Sequence, residues 1–266
     1  MTAPPSARAM PALPTVRATR YVAPLREGGS MPGIMEADDE GTYVVKYRGA
    51  GQGPKALVAE LLSGEIGRAL GLPVPEAVFI DVDPAFARLE MDYEIQHLLR
   101  GSDGLNYGLD YLPGSITYDP LVPPTPDGRF AADVVWFDAF TTNPDRTARN
   151  ANMLEWHGRI WLIDHGAALY FHHDWADVMA RAADPFTRVH QHVLLPFADD
   201  VPAADTRARE LLSSAVFESI LATMPDGWLT LGYGDESPDA VREHYLRYLE
   251  ARLAASSAFV EEAVRG

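Results

Sequence analysis

Apolar and polar positions alternate with period two in the first part of the chain. Residues 16–21, and then 33–47 around the turn Asp38-Asp39-Glu40-Gly41, predict strands separated by the loop REGGSMPG. The period changes to that of a helix over residues 55–70, where Ala56, Ala59, Leu62 or Ser63, Ile66 and Leu70 can face inward and Gly71 provides the stop. Strand signals return at residues 77–82, a short helix is expected over 93–99, and residues 105–112 read as a further strand ended by Pro113-Gly114. A Pro-rich connector, 118–128, leads into an apolar helix over 130–142. Two alternating runs, 153–156 and 159–163, meet at His157-Gly158 and predict a β-hairpin. Segments 207–222 and 237–264 each read as one amphipathic helix. Residues 1–13 are rich in Pro and Ala without periodicity and are expected to be a disordered leader.

The hairpin gives the pattern a chemical point. An antiparallel hairpin returns to where it began, so Asp164, just after its second strand, is expected beside Asp145 and Asn150, just before its first. Three such groups suit phosphoryl transfer, which asks the protein for positioning and charge neutralisation rather than covalent chemistry. Asp164 and Asn150 would hold magnesium, an ion that takes few protein oxygen ligands beside water and phosphates. Asp145 would orient the attacking hydroxyl and take its proton. Taken alone, these residues are equally the turn formers and caps of a surface hairpin.

Cations are needed to meet phosphates, and the chain is strongly acidic, with a formal net charge of −16. That balance argues against a broad nucleic-acid or anionic-membrane surface. Lys46 is the cation in the right setting: alternation places it on the face of Val44 and Thr42, ending a half-apolar stripe. Glu60 and Glu65 of the following helix are its candidate partners, and the loop with Gly28, Gly29 and Ser30 could close over phosphates with backbone N–H groups. The chain has no Cys, which excludes disulfides, thiolate catalysis and Cys-ligated metals and fits a reducing cytoplasm. Nothing reads as a signal peptide or a spanning helix. His172, His173, His190 and His192 lie in a loop-rich stretch open to two readings, a metal site or a substrate-facing segment, and no H-x3-H pair on a firm helix supports the metal.

Four motifs are more specific together than apart: V-V-K ending at Lys46, E-x9-L-G-L-P-V-P beginning at Glu60, D-R-x3-N from Asp145 to Asn150, and I-D-H-G around Asp164. With these the chain resembles, over about residues 15–231, the HipA-like kinases and more distantly the phosphatidylinositol kinases, which share an atypical protein-kinase-like fold. The resemblance implies an α+β, two-lobed fold, with a small β-rich N-lobe over 14–112 and a larger, mainly helical C-lobe over 113–266. It implies ATP between the lobes, its phosphates held by Lys46, with Glu60 orienting that lysine. Asp145, Asn150 and Asp164 would then take the roles given above. Adenine is expected at the lobe junction, with Tyr111 or Leu112 as backbone donor because Pro113 has no N–H. Ser30 corresponds to a self-modified loop serine of some members. The expected activity is ATP- and Mg-dependent transfer to a hydroxyl, with protein Ser/Thr first and a small-molecule or lipid hydroxyl second. A nucleotide-binding pseudokinase scaffold is the third reading.

Overall fold

A computed structural model describes residues 12–25, 31–51, 53–88, 90–123 and 125–266. The expected leader, up to residue 11, and the loop residues Gly28, Gly29 and Ser30 lie outside them. The early period-two runs form β1 (Thr15–Pro24), β2 (Gly33–Ala37) and β3 (Thr42–Lys46). They are followed by α1 (Pro54–Ala69), β4 (Ala77–Val82), α2 (Tyr93–Arg100) and β5 (Gly104–Asp110). The five strands close into a barrel in the order β1-β2-β3-β5-β4, sealed by parallel pairing of β1 with β4. Val16, Met35, Val45, Ile80 and Val82 fill it, plugged by Ile95 and Leu99 of α2. Val45 therefore faces the barrel interior, and Lys46, one residue on, faces out of it.

The helix α1 stands against that outer face. Its C-terminus is a Schellman turn: Gly71 adopts φ 77°, its N–H donates to the Arg68 carbonyl and the Leu72 N–H to that of Gly67, both at 2.9 Å. The sequence pattern predicts one inward stripe, but every residue from Leu57 to Gly67 is buried. The cause is a second packing partner, for Leu57, Leu61, Leu62 and Ile66 share one core with Val134, Phe137 and Ala168 of the following part of the chain. At its first turn, Lys55 reaches the His172 carbonyl and lies 4.7 Å from the Tyr233 ring, which ties α1 to that second body.

The second body contains β6 (Ile116–Thr117), α3 (Gly128–Phe140), β7 (Met153–Trp156) and β8 (Arg159–Leu162). The hairpin β7-β8 turns through His157 at φ 50° and Gly158 at φ 70°, the twist a two-residue hairpin favours. Helix α3 starts two residues earlier than its apolar run, capped by Asp127 on the Phe130 N–H, and ends at Phe140 rather than at Thr142, which takes a left-handed φ of 52°. The expected helix over 207–222 is two, α4 (Val201–Leu211) and α5 (Ser214–Ala222), because Ser213 turns extended and caps the second through the Val216 N–H. The expected helix over 237–264 also divides, into α6 (Pro238–Ala254) and α7 (Ser257–Arg265). That break lets Phe259 pack on Trp136 and Phe140, at ring separations of 5.7 and 6.5 Å. No described helix is long and apolar enough to cross a membrane.

The four histidines go to separate places. His190 lies 3.1 Å from the Glu262 carbonyl, His192 binds Asp138, His173 is exposed, and His172 is buried with Nδ1 3.0 Å from the Tyr245 hydroxyl. Among the described residues no group of three or more His, Asp or Glu is placed to hold a metal ion. Burial drives the His172 pKa well below the ordinary imidazole value, so the folded protein keeps this ring neutral while the unfolded chain protonates it near pH 6.5. The His172 contribution to stability is therefore full above about pH 6.5 and is lost on acidification, at about 1.4 kcal/mol per pH unit for one proton. Urea unfolding between pH 7.5 and 5.5 will show this slope, and His172→Gln will be flatter by one proton. Equal slopes would refute the assignment.

Candidate active site

Lys46 and α1 meet where the barrel faces the second body. The buried ammonium lies 3.1 Å from Glu60 Oε1 and 2.5 Å from Asp164 Oδ1. Burial alone would lower the lysine pKa, but the two carboxylates outweigh it and hold the group above the usual lysine range. Glu60 is pushed upward by its own burial and by the Asp164 charge, despite Lys46, while Asp164 is drawn down because Lys46 overcomes its burial. The second Glu60 oxygen accepts the His165 N–H at 2.9 Å, which fixes the helix to the segment after β8. Glu65 points elsewhere. It pairs with Arg68 at 2.5 Å, and Arg68 also reaches the Tyr107 hydroxyl at 3.2 Å.

The loop between α3 and β7 and the end of β8 bring Asp145, Asn150 and Asp164 to the same wall. Asp145 Oδ2 accepts from the Asn150 amide at 2.7 Å and from the Asn152 amide at 3.2 Å, and the latter also approaches the Asp164 carbonyl at 3.5 Å. A tight turn, with mutual backbone hydrogen bonds between Thr147 and Asn150 at 3.0 and 3.1 Å, presents Asn150 to Asp145. Asn152 and Asp164 both adopt left-handed backbone, at φ 48° and 56°, a strain that proteins keep where side-chain direction matters.

These residues line a cavity of about 410 Å³ that includes Lys46, Glu60, Asp145, Asn150, Asn152 and Asp164. A more apolar cavity of about 290 Å³ adjoins it, sharing Lys46, Leu154, Ile163 and Asp164 and reaching Leu109, Tyr111 and Leu112. The strand leading there ends at Asp110, two residues before its sequence-based end, and its last ladder bonds run from the Asp110 and Tyr111 N–H groups to the Glu76 and Thr42 carbonyls, at 2.8 and 3.0 Å. Tyr111 is thus already committed, and of the two expected donors Leu112 is left. The donor set at the wide end fits magnesium. Asp164 offers a carboxylate, Asn150 keeps its amide oxygen free while its nitrogen serves Asp145, and the carboxylates outnumber the one ammonium between them.

The chain matches the model of the HipA-like kinase family over residues 19–256. It belongs to that family. Among solved structures, this HipA-like kinase is similar to the Helicobacter pylori proinflammatory kinase CtkA, at 14% identity and a TM-score of 0.54, over 95% of this chain and 98% of that one. It is also similar to the Golgi casein kinase bound to Mn and ADP, at 10% identity and a TM-score of 0.51, over 94% of this chain and 73% of that one. Such likeness shows the two-lobed, α+β kinase fold. No curated protein matches the chain.

Beneath the loop that carries Asp145 in this HipA-like kinase lies a buried network outside the sequence-based site. Asp138 on α3 accepts from Arg146 Nε at 2.5 Å, from the Asn143 amide at 2.9 Å, and meets His192 Nε2 at 2.8 Å. Arg146 in turn donates to the Asn152 carbonyl at 2.5 Å and lies 3.2 Å from His165 Nδ1. Its signal was an aspartate inside the apolar run VVWFDAF, followed eight residues later by an arginine. A charge in such a run requires a buried partner.

The different partners of Glu60 and Glu65 lead to different losses. Glu60→Gln removes the charge beside Lys46 and is expected to lower turnover at least tenfold with modest change in melting temperature. Glu65→Gln disturbs the Arg68 pair and is expected to change stability more than turnover. Steady-state rates and melting curves on both variants test this, and equal kinetic losses would overturn it.

Proposed function

We propose that this chain is an ATP- and magnesium-dependent phosphotransferase that moves the γ-phosphate of ATP to a hydroxyl, with protein Ser or Thr as acceptor. The observation that carries this reading is the convergence of Lys46, Glu60, Asp145, Asn150 and Asp164 on one cleft between barrel and helical body. Adenine occupies the apolar end and takes a hydrogen bond from the Leu112 N–H. Lys46, held by Glu60, meets the phosphates. Asp164 and Asn150 hold magnesium, which when bound neutralises charge on the phosphate oxygens. Asp145 uses Oδ2 for the two amides, leaving Oδ1 to accept the proton of the attacking hydroxyl. The hydroxyl oxygen then bonds to the γ-phosphorus as the bond to the ADP oxygen breaks, and the proton ends on Asp145. Nucleotide and divalent metal are bound by the similar Golgi casein kinase, which supports both as cofactors here. Its name and the strongly acidic surface of this chain favour a protein acceptor over an anionic lipid.

Incubating the protein with γ-labelled ATP and magnesium, with and without lysate, tests the reading. Label on lysate protein is the expected result. ATP consumption without labelled protein would move the acceptor to a small molecule. A melting-temperature rise with ATP but no turnover would make the chain a nucleotide-binding scaffold.

A further inference from the structure

The barrel hands the chain to the second body through the turn Leu112-Pro113-Gly114-Ser115, which lies between β5 and β6. The Ser115 N–H closes it on the Leu112 carbonyl at 3.2 Å, and Gly114 adopts φ 77°. With proline before that glycine, this is the signature of a type II turn. A type I turn joins the same ends with its central peptide turned over, so the two forms differ in the direction of one carbonyl, that of Pro113. Here that carbonyl is held. The indole N–H of Trp156, the last residue of β7, donates to it at 3.0 Å.

Trp156 is steadied in turn by its neighbours on the hairpin, with Trp161 edge-on at a ring separation of 5.7 Å and His157 at 4.3 Å. The two indoles are not equivalent, since that of Trp161 has no hydrogen-bond partner among the described residues. Both ends of the turn, Leu112 and Ser115, line the apolar cavity, together with Thr117 and Leu154. Before the turn, the Tyr111 N–H fixes the chain to the barrel through the Thr42 carbonyl. Beyond it, Thr117 pairs with Leu154 and the Tyr118 N–H donates to the Met153 carbonyl at 3.0 Å, which fixes the chain to the hairpin. The form of the turn between these anchors therefore sets where Leu112 stands relative to the Leu154 wall. Glycine takes either form at little steric cost, so a donor on the Pro113 carbonyl decides which one is populated.

We propose that Trp156 is a positioning residue for the nucleotide base: its hydrogen bond keeps the lobe junction in the turn that aims the Leu112 N–H at the adenine ring. The proposal rests on the adenine placement given above. When only a fraction of molecules holds the competent turn, the apparent dissociation constant rises by the inverse of that fraction. The phosphates, met by Lys46 at the other end of the cleft, are unaffected.

Two variants test this. Trp156→Phe keeps an aromatic ring and removes the indole N–H. Gly114→Ala reaches the same peptide from the other side: an added Cβ meets nothing within 4 Å, so only the left-handed φ of 77° is penalised. Trp161→Phe, which removes the unpartnered indole, is the control. Calorimetry gives the affinities for Mg-ATP and for magnesium tripolyphosphate, which has no base. In Trp156→Phe and Gly114→Ala, Mg-ATP is expected to bind roughly three- to tenfold more weakly, the range of one hydrogen bond, with tripolyphosphate unchanged. KM for ATP is expected to rise by a similar factor while kcat holds. The double variant is expected to lose less than the product of the single losses, because both release one peptide. Unchanged Mg-ATP affinity in Trp156→Phe, equal weakening of both probes, or the same loss in Trp161→Phe would overturn the role of Trp156 and leave the adenine placement standing. A wild type that binds the two probes equally would overturn the adenine placement, and the role with it.

Discussion

Asp145→Asn is expected to bind Mg-ATP as the wild type does and to lose turnover by roughly 10²- to 10⁴-fold, the span of one general base. The carboxamide keeps an oxygen that can accept from the Asn150 and Asn152 amides, now at 2.7 and 3.2 Å from Asp145 Oδ2, so the loop retains its geometry. What disappears is an oxygen able to take the hydroxyl proton. Since that contribution arises only as the proton moves, ground-state affinity is spared. Asp164→Asn behaves differently. It removes one of the two carboxylates on Lys46 and the charged oxygen offered to magnesium, so affinity and turnover fall together. A nucleotide at a hundred times its dissociation constant adds about 2.7 kcal/mol to the folded state, which melting curves resolve. Similar Mg-ATP shifts are expected for wild type and Asp145→Asn, and a clearly smaller one for Asp164→Asn. The reverse order would mean that ligand and base are exchanged, and identical shifts in all three would place the metal outside this hairpin.

The legible part of this site is the part written locally. A two-residue turn at His157-Gly158 fixes the hairpin, and the hairpin alone brings residue 164 back to residues 145 and 150. Lys46 could likewise be placed on an outer face from its neighbours at period two. What joins distant stretches was not legible. The barrel closes through Thr15 beside Phe79, a parallel pairing with no turn or period to announce it. Helix α1 shows one stripe in sequence although it is covered on both sides, because its second cover comes from residues after 130. The breaks at Ser213 and near Ser256 lie inside apolar periodic runs. There a serine cap and the packing of Phe259 on α3 overrule local preference. The Tyr111 N–H could not be assigned without knowing that the Thr42 carbonyl stands opposite it.

The network under the Asp145 loop carries the largest expected loss of stability. Asp138→Ala leaves the fully buried Arg146 guanidinium without its carboxylate and is expected to cost about 3–5 kcal/mol, on the order of 10 °C in melting temperature. Burial alone would raise the Asp138 pKa, but Arg146 and His192 outweigh it and hold the carboxyl well below its usual range. Its stabilisation is thus complete above about pH 4 and is lost as the pH falls below the unfolded value, so the wild type will lose stability on acidification more steeply than the variant. The double substitution Asp138→Leu with Arg146→Met separates support from charge. An apolar pair of similar volume often replaces a buried ion pair without loss, so much of the stability is expected to return. Activity is not expected to return with it, because Arg146 also holds the Asn152 carbonyl, and Asn152 is one of the two amides that orient Asp145. Recovery of both stability and turnover in the double variant would show that the network only fills space. Recovery of stability alone would show that it positions Asp145.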